Sequence, residues 1–321
     1  MTRNPVLMKI ITDYADGISA IDTGFFRPRF DASHLIVEGG RAAFVDVGTN
    51  HSVPRLLDAL QRKNLGVDAV DWVILTHVHL DHAGGAGALM RELPNARAVL
   101  HPRGVRHMVD PSQLIAGATA VYGVEEIERS YGTLVPVPAE RIVTANDGHL
   151  VELAGRELVC IDTPGHARHH FSVWDARSRA FFPGDTFGLS YREFDTERGA
   201  FILPTTTPVQ FEPDALKTSI ERMLSYHPQQ MFLTHYSRVT DVPRLARDLY
   251  AQIDAMVEIA LAHGADENRH VHIMDDLANL YVSRAQAHGC TQTPAQVREL
   301  LAMDIELNAQ GLEVWLDKRK S

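Results

Sequence analysis

At 321 residues, with 45% apolar and 22% charged side chains, the chain can bury a full core as one large domain or as one domain with an appendage. Its formal net charge of -10 argues against nucleic acid or an anionic membrane as the main partner. Only Cys160 and Cys290 are present, far apart, no apolar stretch approaches the roughly 18 residues of a membrane span, and Met1 to Lys9 has no signal-peptide core, so a cytoplasmic location is expected.

From Val6 to Asn50 the pattern is that of a meander, with strands expected at Leu7 to Ile11, Gly17 to Asp22, Ser33 to Val37 and Ala42 to Val47. Asp46 stands at the end of the fourth strand. An acid there can either orient a ligating histidine or satisfy a turn. Ser52 then caps a helix to about Lys63, with Pro54 in its first turn and Leu56, Leu57 and Leu60 as the buried stripe.

The apolar, β-branched run Val70 to Leu75 reads as a buried strand, and Thr76-His77-Val78-His79-Leu80-Asp81-His82-Ala83-Gly84-Gly85 follows directly. In extended chain His77 and His79 point the same way and can grip one ion. Asp81 and His82 begin a turn that aims them at a neighbouring position, and the two glycines are expected to let the backbone bend closely around whatever is bound. Imidazole and carboxylate ligands suit zinc, iron or manganese, and with no cysteine here a closed thiolate site is excluded.

A short helix at Ala86 to Glu92 and a strand at Ala96 to Leu100 continue an α/β layer. His101, at that strand's end, is read as satisfying local hydrogen bonds. Residues 103–140, with Arg106, His107, Tyr122 and Tyr131, are weakly patterned and suit a lid or substrate wall. A second strand group is expected at Arg141 to Thr144, His149 to Leu153, Leu158 to Ile161, Phe171 to Trp174 and Ala180 to Phe182. Strand ends in this part carry Thr163-Pro164-Gly165-His166, Gly184-Asp185-Thr186 and, after a strand at Gln230 to Leu233, Thr234-His235. Sites on layered sheets are built at strand ends.

As an ordered set, His77-x-His79-x-Asp81-His82, the Thr-Pro-Gly-His at 163–166, Gly-Asp-Thr at 184–186 and Thr-His at 234–235 resemble the metallo-β-lactamase-fold superfamily, in particular its glyoxalase II-like hydrolase branch. The resemblance covers roughly residues 15–240 and implies an α/β fold, a four-layer αβ/βα sandwich, as a catalytic domain over residues 1–240. It implies that His77, His79 and His166 hold one metal ion, that Asp81, His82 and His235 hold a second, and that Asp185 bridges them. Two divalent ions per chain are then expected, zinc first, with iron and manganese served by the same ligands. Such a pair holds a bridging hydroxide and lowers the pKa of water from about 15.7 towards 7, with Asp81 and Asp185 as the catalytic carboxylates. The expected reaction is hydrolysis of an ester, thioester, lactone or similar small molecule. The alternatives on the same scaffold are an iron-dependent oxidoreductase, either di-iron and oxygen-reducing or a persulfide dioxygenase, and a metal-bound sensor acting through its helical part.

Departures from the family refine this. Oxygen-reducing di-iron members commonly carry Glu where this chain has His79, which favours hydrolysis. Lactonase-type members carry a tyrosine three residues after the bridging Asp, where this chain has Gly188, with Tyr191 further on. The Phe187 to Tyr191 continuation lacks the glycine-cysteine-glycine-arginine sequence of glyoxalase II-type enzymes, which argues against a glutathione thioester. His170 is expected to be structural, His169 has no assigned place, and Tyr236, Arg192, Phe25, Phe26 and Arg27 lie beside the site loops.

The remainder reads as helical. A helix at Pro213 to Tyr226 presents Leu216, Ile220 and Leu224, and further helices are expected from Asp241 to His263, from Val271 to His288, and from the capping box Thr293 to Gln296 through to Leu316. Leu300, Leu301, Ile305, Leu307 and Leu312 need cover, so residues 241–321 are expected to pack as an extension over the sandwich or against a second copy of the chain. His263, His270, His272 and His288, with no carboxylate pattern at ligand spacing, are read as surface or capping residues.

Overall fold

In the computed structural model, which describes residues 10–206 and 209–320, the short apolar runs and amphipathic stretches resolve into two mixed sheets, each with its own helices. The chain divides into two compact units. The first takes the residues up to Leu100, Val105–Val143 and Glu152–Arg156, and the second takes His101–Gly104, Thr144–Val151 and the residues from Glu157 on.

The sheet of the first unit has seven strands side by side in chain order: β1 (Ile11–Asp13), β2 (Ile18–Asp22), β3 (Ala32–Glu38), β4 (Arg41–Val45), β5 (Val70–Ile74), β6 (Arg97–Leu100) and β7 (Ile142–Thr144). Of the first expected strand, Leu7 to Lys9 lie outside the described residues. β1 to β4 pair antiparallel, β1–β2 and β3–β4 through short turns and β2–β3 through the longer loop at 23–31, whereas β4–β5 and β5–β6 are parallel and need crossovers. Helix α1 (Val53–Arg62) makes the first, and α2 (Leu80–Ala83) with α3 (Ala86–Glu92) makes the second. Leu56, Leu60, Leu89 and Met90 from these helices join Leu35, Phe44, Val70 and Val73 of the strands in one buried cluster. That crossover is what places the histidine-rich segment between β5 and α3.

In this unit one reading gains detail and one fails. The weakly patterned stretch is built of α4 (Pro102–Val109), α5 (Ser112–Tyr122) and α6 (Val124–Tyr131). The strand at 142–144 does not start the second group but closes the first sheet as β7. Arg141, just before it, donates to the carbonyls of Met90, Leu93 and Ala96 and ties β7 to the end of α3.

The second sheet also follows chain order: β8 (His149–Leu153), β9 (Arg156–Asp162), β10 (Phe171–Asp175), β11 (Ala180–Phe182), β12 (Gln230–Leu233) and β13 (Ser237–Val239). β11 and β12 are parallel, with α7 (Pro213–Leu224) as their crossover, and the stacked rings of Phe182 and Phe232 mark their core. Four helices follow: α8 (Val242–Ala262), α9 (Arg269–His288), α10 (Pro294–Leu300) and α11 (Ala302–Lys320). The capping box at Thr293 and Gln296 starts α10 as expected, but the helix breaks at Leu301 rather than running through.

These helices hold the chain between β11 and α7. Gln252 of α8 donates to the carbonyl of Ile202 at 2.8 Å, and Asn308 of α11 accepts from the Thr206 N–H at 2.7 Å and donates to the Tyr281 hydroxyl at 2.8 Å. Asp304 accepts from the buried Tyr191 hydroxyl at 3.0 Å. Buried polar groups need such partners, so these pairs fix the register of α8 and α11 against the loop and of α11 against α9. Among the described residues no helix is long and apolar enough to cross a membrane.

Candidate metal centre

In the first unit the site begins at Asp46, the residue that ends β4. It is fully buried and adopts a left-handed backbone, φ 52°, which Asp and Asn tolerate better than other side chains. Its carboxylate accepts from the Thr76 N–H at 2.9 Å, from the Thr76 hydroxyl at 2.9 Å, and from His82 Nδ1 at 2.8 Å. The strand-end acid thus serves both readings open at the sequence: it closes the turn after β5 and it orients a histidine.

The hydrogen bonds fix the protonation pattern. A carboxylate can only accept, so His82 carries its proton on Nδ1 and presents the lone pair of Nε2, which lies 3.7 Å from an Asp81 oxygen. The Thr76 hydroxyl gives its hydrogen to Asp46 and accepts from His77 Nδ1 at 3.1 Å, so His77 likewise presents Nε2. That atom stands 3.0 Å from His79 Nδ1, and the rings of His77 and His82 are 4.0 Å apart. One buried acid therefore sets the donor atoms of two histidines, one directly and one through a threonine.

Local structure explains the placement. His79 is the N-cap of α2, so the chain turns there and puts Asp81 and His82 on the first helical turn. Val47 donates to the His82 carbonyl and Gly85 to the Gly48 carbonyl, both bonds closing the segment onto the end of β4. At Gly85 the need for glycine is one of space. Gly85 has an ordinary φ of −82°, and a Cβ there would meet the Thr49 carbonyl at 2.4 Å. Its smallness admits the neighbouring backbone.

The second unit brings together His166, Asp185 and His235, at the ends of β9, β11 and β12. His166 donates from Nδ1 to the Thr205 carbonyl at 3.5 Å and presents Nε2 to an Asp185 oxygen at 3.4 Å. The other Asp185 oxygen faces His235 Nε2 at 3.7 Å. All three side chains are buried. His170 is structural: Nδ1 meets the hydroxyls of Thr163 and Thr186, and Nε2 accepts the Asp185 N–H at 3.3 Å, which holds the backbone of the shared carboxylate. Ser190 donates to the His235 carbonyl and Tyr236 to the Ser190 carbonyl, pinning the His235 loop in the same way. Thr205 stands in no motif, and Thr76 and Thr163 enter only as members of theirs; each is a small polar residue whose partner is fixed only by the fold.

Other candidates are engaged elsewhere. His101 is tied to Asp162 through Nε2 and to the Arg103 N–H through Nδ1, satisfying local hydrogen bonds as expected. Tyr191 is committed to Asp304, and Arg192 to Ser190. Phe25 packs against Phe30 and Tyr131, Phe26 is exposed on Phe30, and Arg27 lies over the Phe30 ring. Burial pushes the Cys160 thiol up to about 12, so it cannot supply a thiolate near neutrality. Three histidines of the C-terminal helices do have carboxylates around them, contrary to expectation: His263 with Asp266 and Asp276, His272 with Asp266, and His270 with Glu306 and Glu313, while His288 meets the Gly199 carbonyl.

The donor atoms in both units are imidazole nitrogens and carboxylate oxygens, the set that suits zinc, iron or manganese. A sequence profile described as the metallo-beta-lactamase superfamily matches residues 27–235. A metallo-beta-lactamase fold-containing protein of Sulfurisphaera tokodaii is 25% identical over 199 residues, 61% of this chain and 70% of that protein. The hydroxyacylglutathione hydrolase of Cronobacter sakazakii is 25% identical over 224 residues, 66% of this chain and 73% of that enzyme. Among solved structures, an archaeal metallo-beta-lactamase superfamily protein from Sulfolobus tokodaii superposes with a TM-score of 0.67 at 20% identity, over 96% of this chain and 100% of that one. That likeness shows the fold, the α/β sandwich expected from the sequence, with helices after it.

Proposed function

Because the chain belongs to the metallo-beta-lactamase superfamily, we propose that it is a dinuclear metal-dependent hydrolase of the glyoxalase II-like branch, acting on an ester, thioester, lactone or related small molecule. In this reading His77, His79 and His166 hold one ion, Asp81, His82 and His235 hold the other, and Asp185 is shared. The observation that supports it most is Asp185 itself, whose two oxygens face two different histidines, His166 at 3.4 Å and His235 at 3.7 Å. A carboxylate serving one ion has no need of that arrangement. The protonation pattern set by Asp46 and Thr76 fits the same reading, since it leaves the lone pairs of His77 and His82 on Nε2.

When bound, the ions would acidify a water molecule and polarise the substrate carbonyl. The chain's own part is positioning and proton transfer. Asp81 takes the proton released by the attacking water and returns it to the leaving group. Asp185 spaces the two sets of donors and balances their charge. No cysteine nucleophile is required, in keeping with the burial of Cys160. Hydrolase chemistry is that of the Cronobacter sakazakii relative, while the missing glycine-cysteine-glycine-arginine sequence argues for a different thioester or an ester.

The test is elemental analysis of protein purified without added metal, on wild type and Asp185→Asn, with an ester, thioester and lactone panel run on the same samples. At least two zinc or manganese ions per chain, and hydrolysis lowered at least about 100-fold in the variant, are expected. Bound iron with oxygen uptake and no hydrolysis would overturn the assignment in favour of oxygen chemistry.

A further inference from the structure

The turn between α8 and α9 gathers a second set of metal-competent side chains. His263 caps the C-terminal end of α8, Asp266 lies in the connecting loop, and His272 and Asp276 stand one turn apart on α9. One ligand atom from each of His263, Asp266 and His272 lies within 4.8 Å of the other two. Asp266 Oδ2 is 2.5 Å from His272 Nδ1 and 3.9 Å from His263 Nδ1. Its other oxygen accepts the Asn268 N–H at 2.8 Å, which turns Oδ2 towards the two rings.

Asp276 completes the pattern. It accepts from His263 Nε2 at 2.8 Å, so the proton of that ring sits on Nε2 and the lone pair on Nδ1, facing Asp266. A carboxylate behind a histidine, holding its tautomer and orientation, is the usual support of a metal-ligating imidazole. Four side chains from a helix end, a loop and a helix start thus form two nitrogens, one oxygen and one supporting acid.

We propose that His263, Asp266 and His272 form a second metal site, separate from the centre at His77 to His235, which takes one zinc ion with Asp276 behind His263. Zinc bound to nitrogen and carboxylate oxygen at about 2.0–2.2 Å brings its donors closer together than 4.8 Å. The side chains are half-buried to exposed, so small rotations close that gap. On binding, the hydrogen that His272 holds towards Asp266 moves to the other ring nitrogen and leaves the Nδ1 lone pair to the ion. Three protein ligands leave the fourth position to water. The groove beside the turn, lined by Asp266, Arg269, His270 and Glu313, gives the ion its route in. Such an ion would clamp α8 to α9 and leave the proposed chemistry elsewhere untouched.

The experiment is a calorimetric titration of zinc into the chelator-stripped full chain, for wild type, Asp185→Asn, and the double variant His263→Gln/His272→Gln. The expected result is one zinc equivalent that Asp185→Asn keeps and the double variant lacks, together with a zinc-dependent rise in melting temperature that the double variant loses. Equal zinc uptake by wild type and the double variant overturns the site. Should the double variant fail to fold, as judged by circular dichroism without zinc, Asp266→Asn takes its place with the same expectation. Hydrolysis by the zinc-loaded double variant equals wild type, so failure here and failure of the hydrolase reading are told apart.

Discussion

Replacing Asp46 with Asn isolates the protonation logic of the centre. The two side chains have the same shape, and Asn tolerates the left-handed backbone found there, so the turn is preserved. The amide has two orientations. With its oxygen on the Thr76 N–H, its NH2 faces His82 Nδ1, which must then accept, and the ring proton moves to Nε2, the nitrogen that the proposed centre uses. With the amide reversed, two donors oppose each other at Thr76 in a fully buried place, at a cost of about 1–3 kcal/mol. Either way His82 or the Thr76 link to His77 is spoiled. Loss of a supporting partner of this kind costs roughly 10- to 100-fold in metal affinity, about 1.4–2.7 kcal/mol. Competition against a fluorescent chelator measures that constant, and the melting temperature of the stripped protein measures the stability term. An Asp46→Asn protein that folds, melts with wild type and holds metal as tightly would refute the tautomer argument.

Two further outcomes follow from packing and burial. Gly311 of α11 lies so close to the loop that a Cβ would stand 1.5 Å from the Thr206 carbonyl, so Gly311→Ala should lower stability by about 3 kcal/mol or more, read as a fall in denaturant midpoint at unchanged slope. Burial pushes the His34 imidazole down from 6.5 to about 4, against the attraction of Asp46. The unfolded chain therefore protonates first as pH falls. The contribution of His34 is whole above pH 6.5 and is lost between there and pH 4, about 3 kcal/mol in all, so a stripped His34→Gln protein should lose stability less steeply across that window than wild type.

The strands around the centre were legible because each is an apolar run closed by a turn residue, and the candidate donor side chains because they sit at those closures. Ala86–Glu92, His149–Leu153, Ala180–Phe182 and Gln230–Leu233 fall where the runs place them. What was illegible depends on partners. β7 reads as a strand from its own residues, but nothing local says which sheet it joins. α5 lacks a clear apolar stripe, and no glycine or proline announces the break at Leu301. At the centre Thr76 finds its acid 30 positions away and His166 its carbonyl at 39, and away from it Tyr191 finds its acid at 113. Spacing along the chain cannot express such pairings. Asp46 was half legible, since a strand-end acid suits a turn and a histidine equally, and in the fold it serves both.

The pairing of Thr206 with Asn308 also sets an order of events during synthesis. The two are 102 residues apart, so the loop after Asp185 is made long before its fastening exists. At roughly 5–20 residues per second, the ribosome needs about 5–20 s to cover that interval. For that time the nascent chain carries the Thr206 end of this segment without the α11 partner that later holds its register. Slow codons between these positions would lengthen that window. Substitutions in α11 should therefore reduce yield in cells more than they reduce the stability of molecules that complete folding.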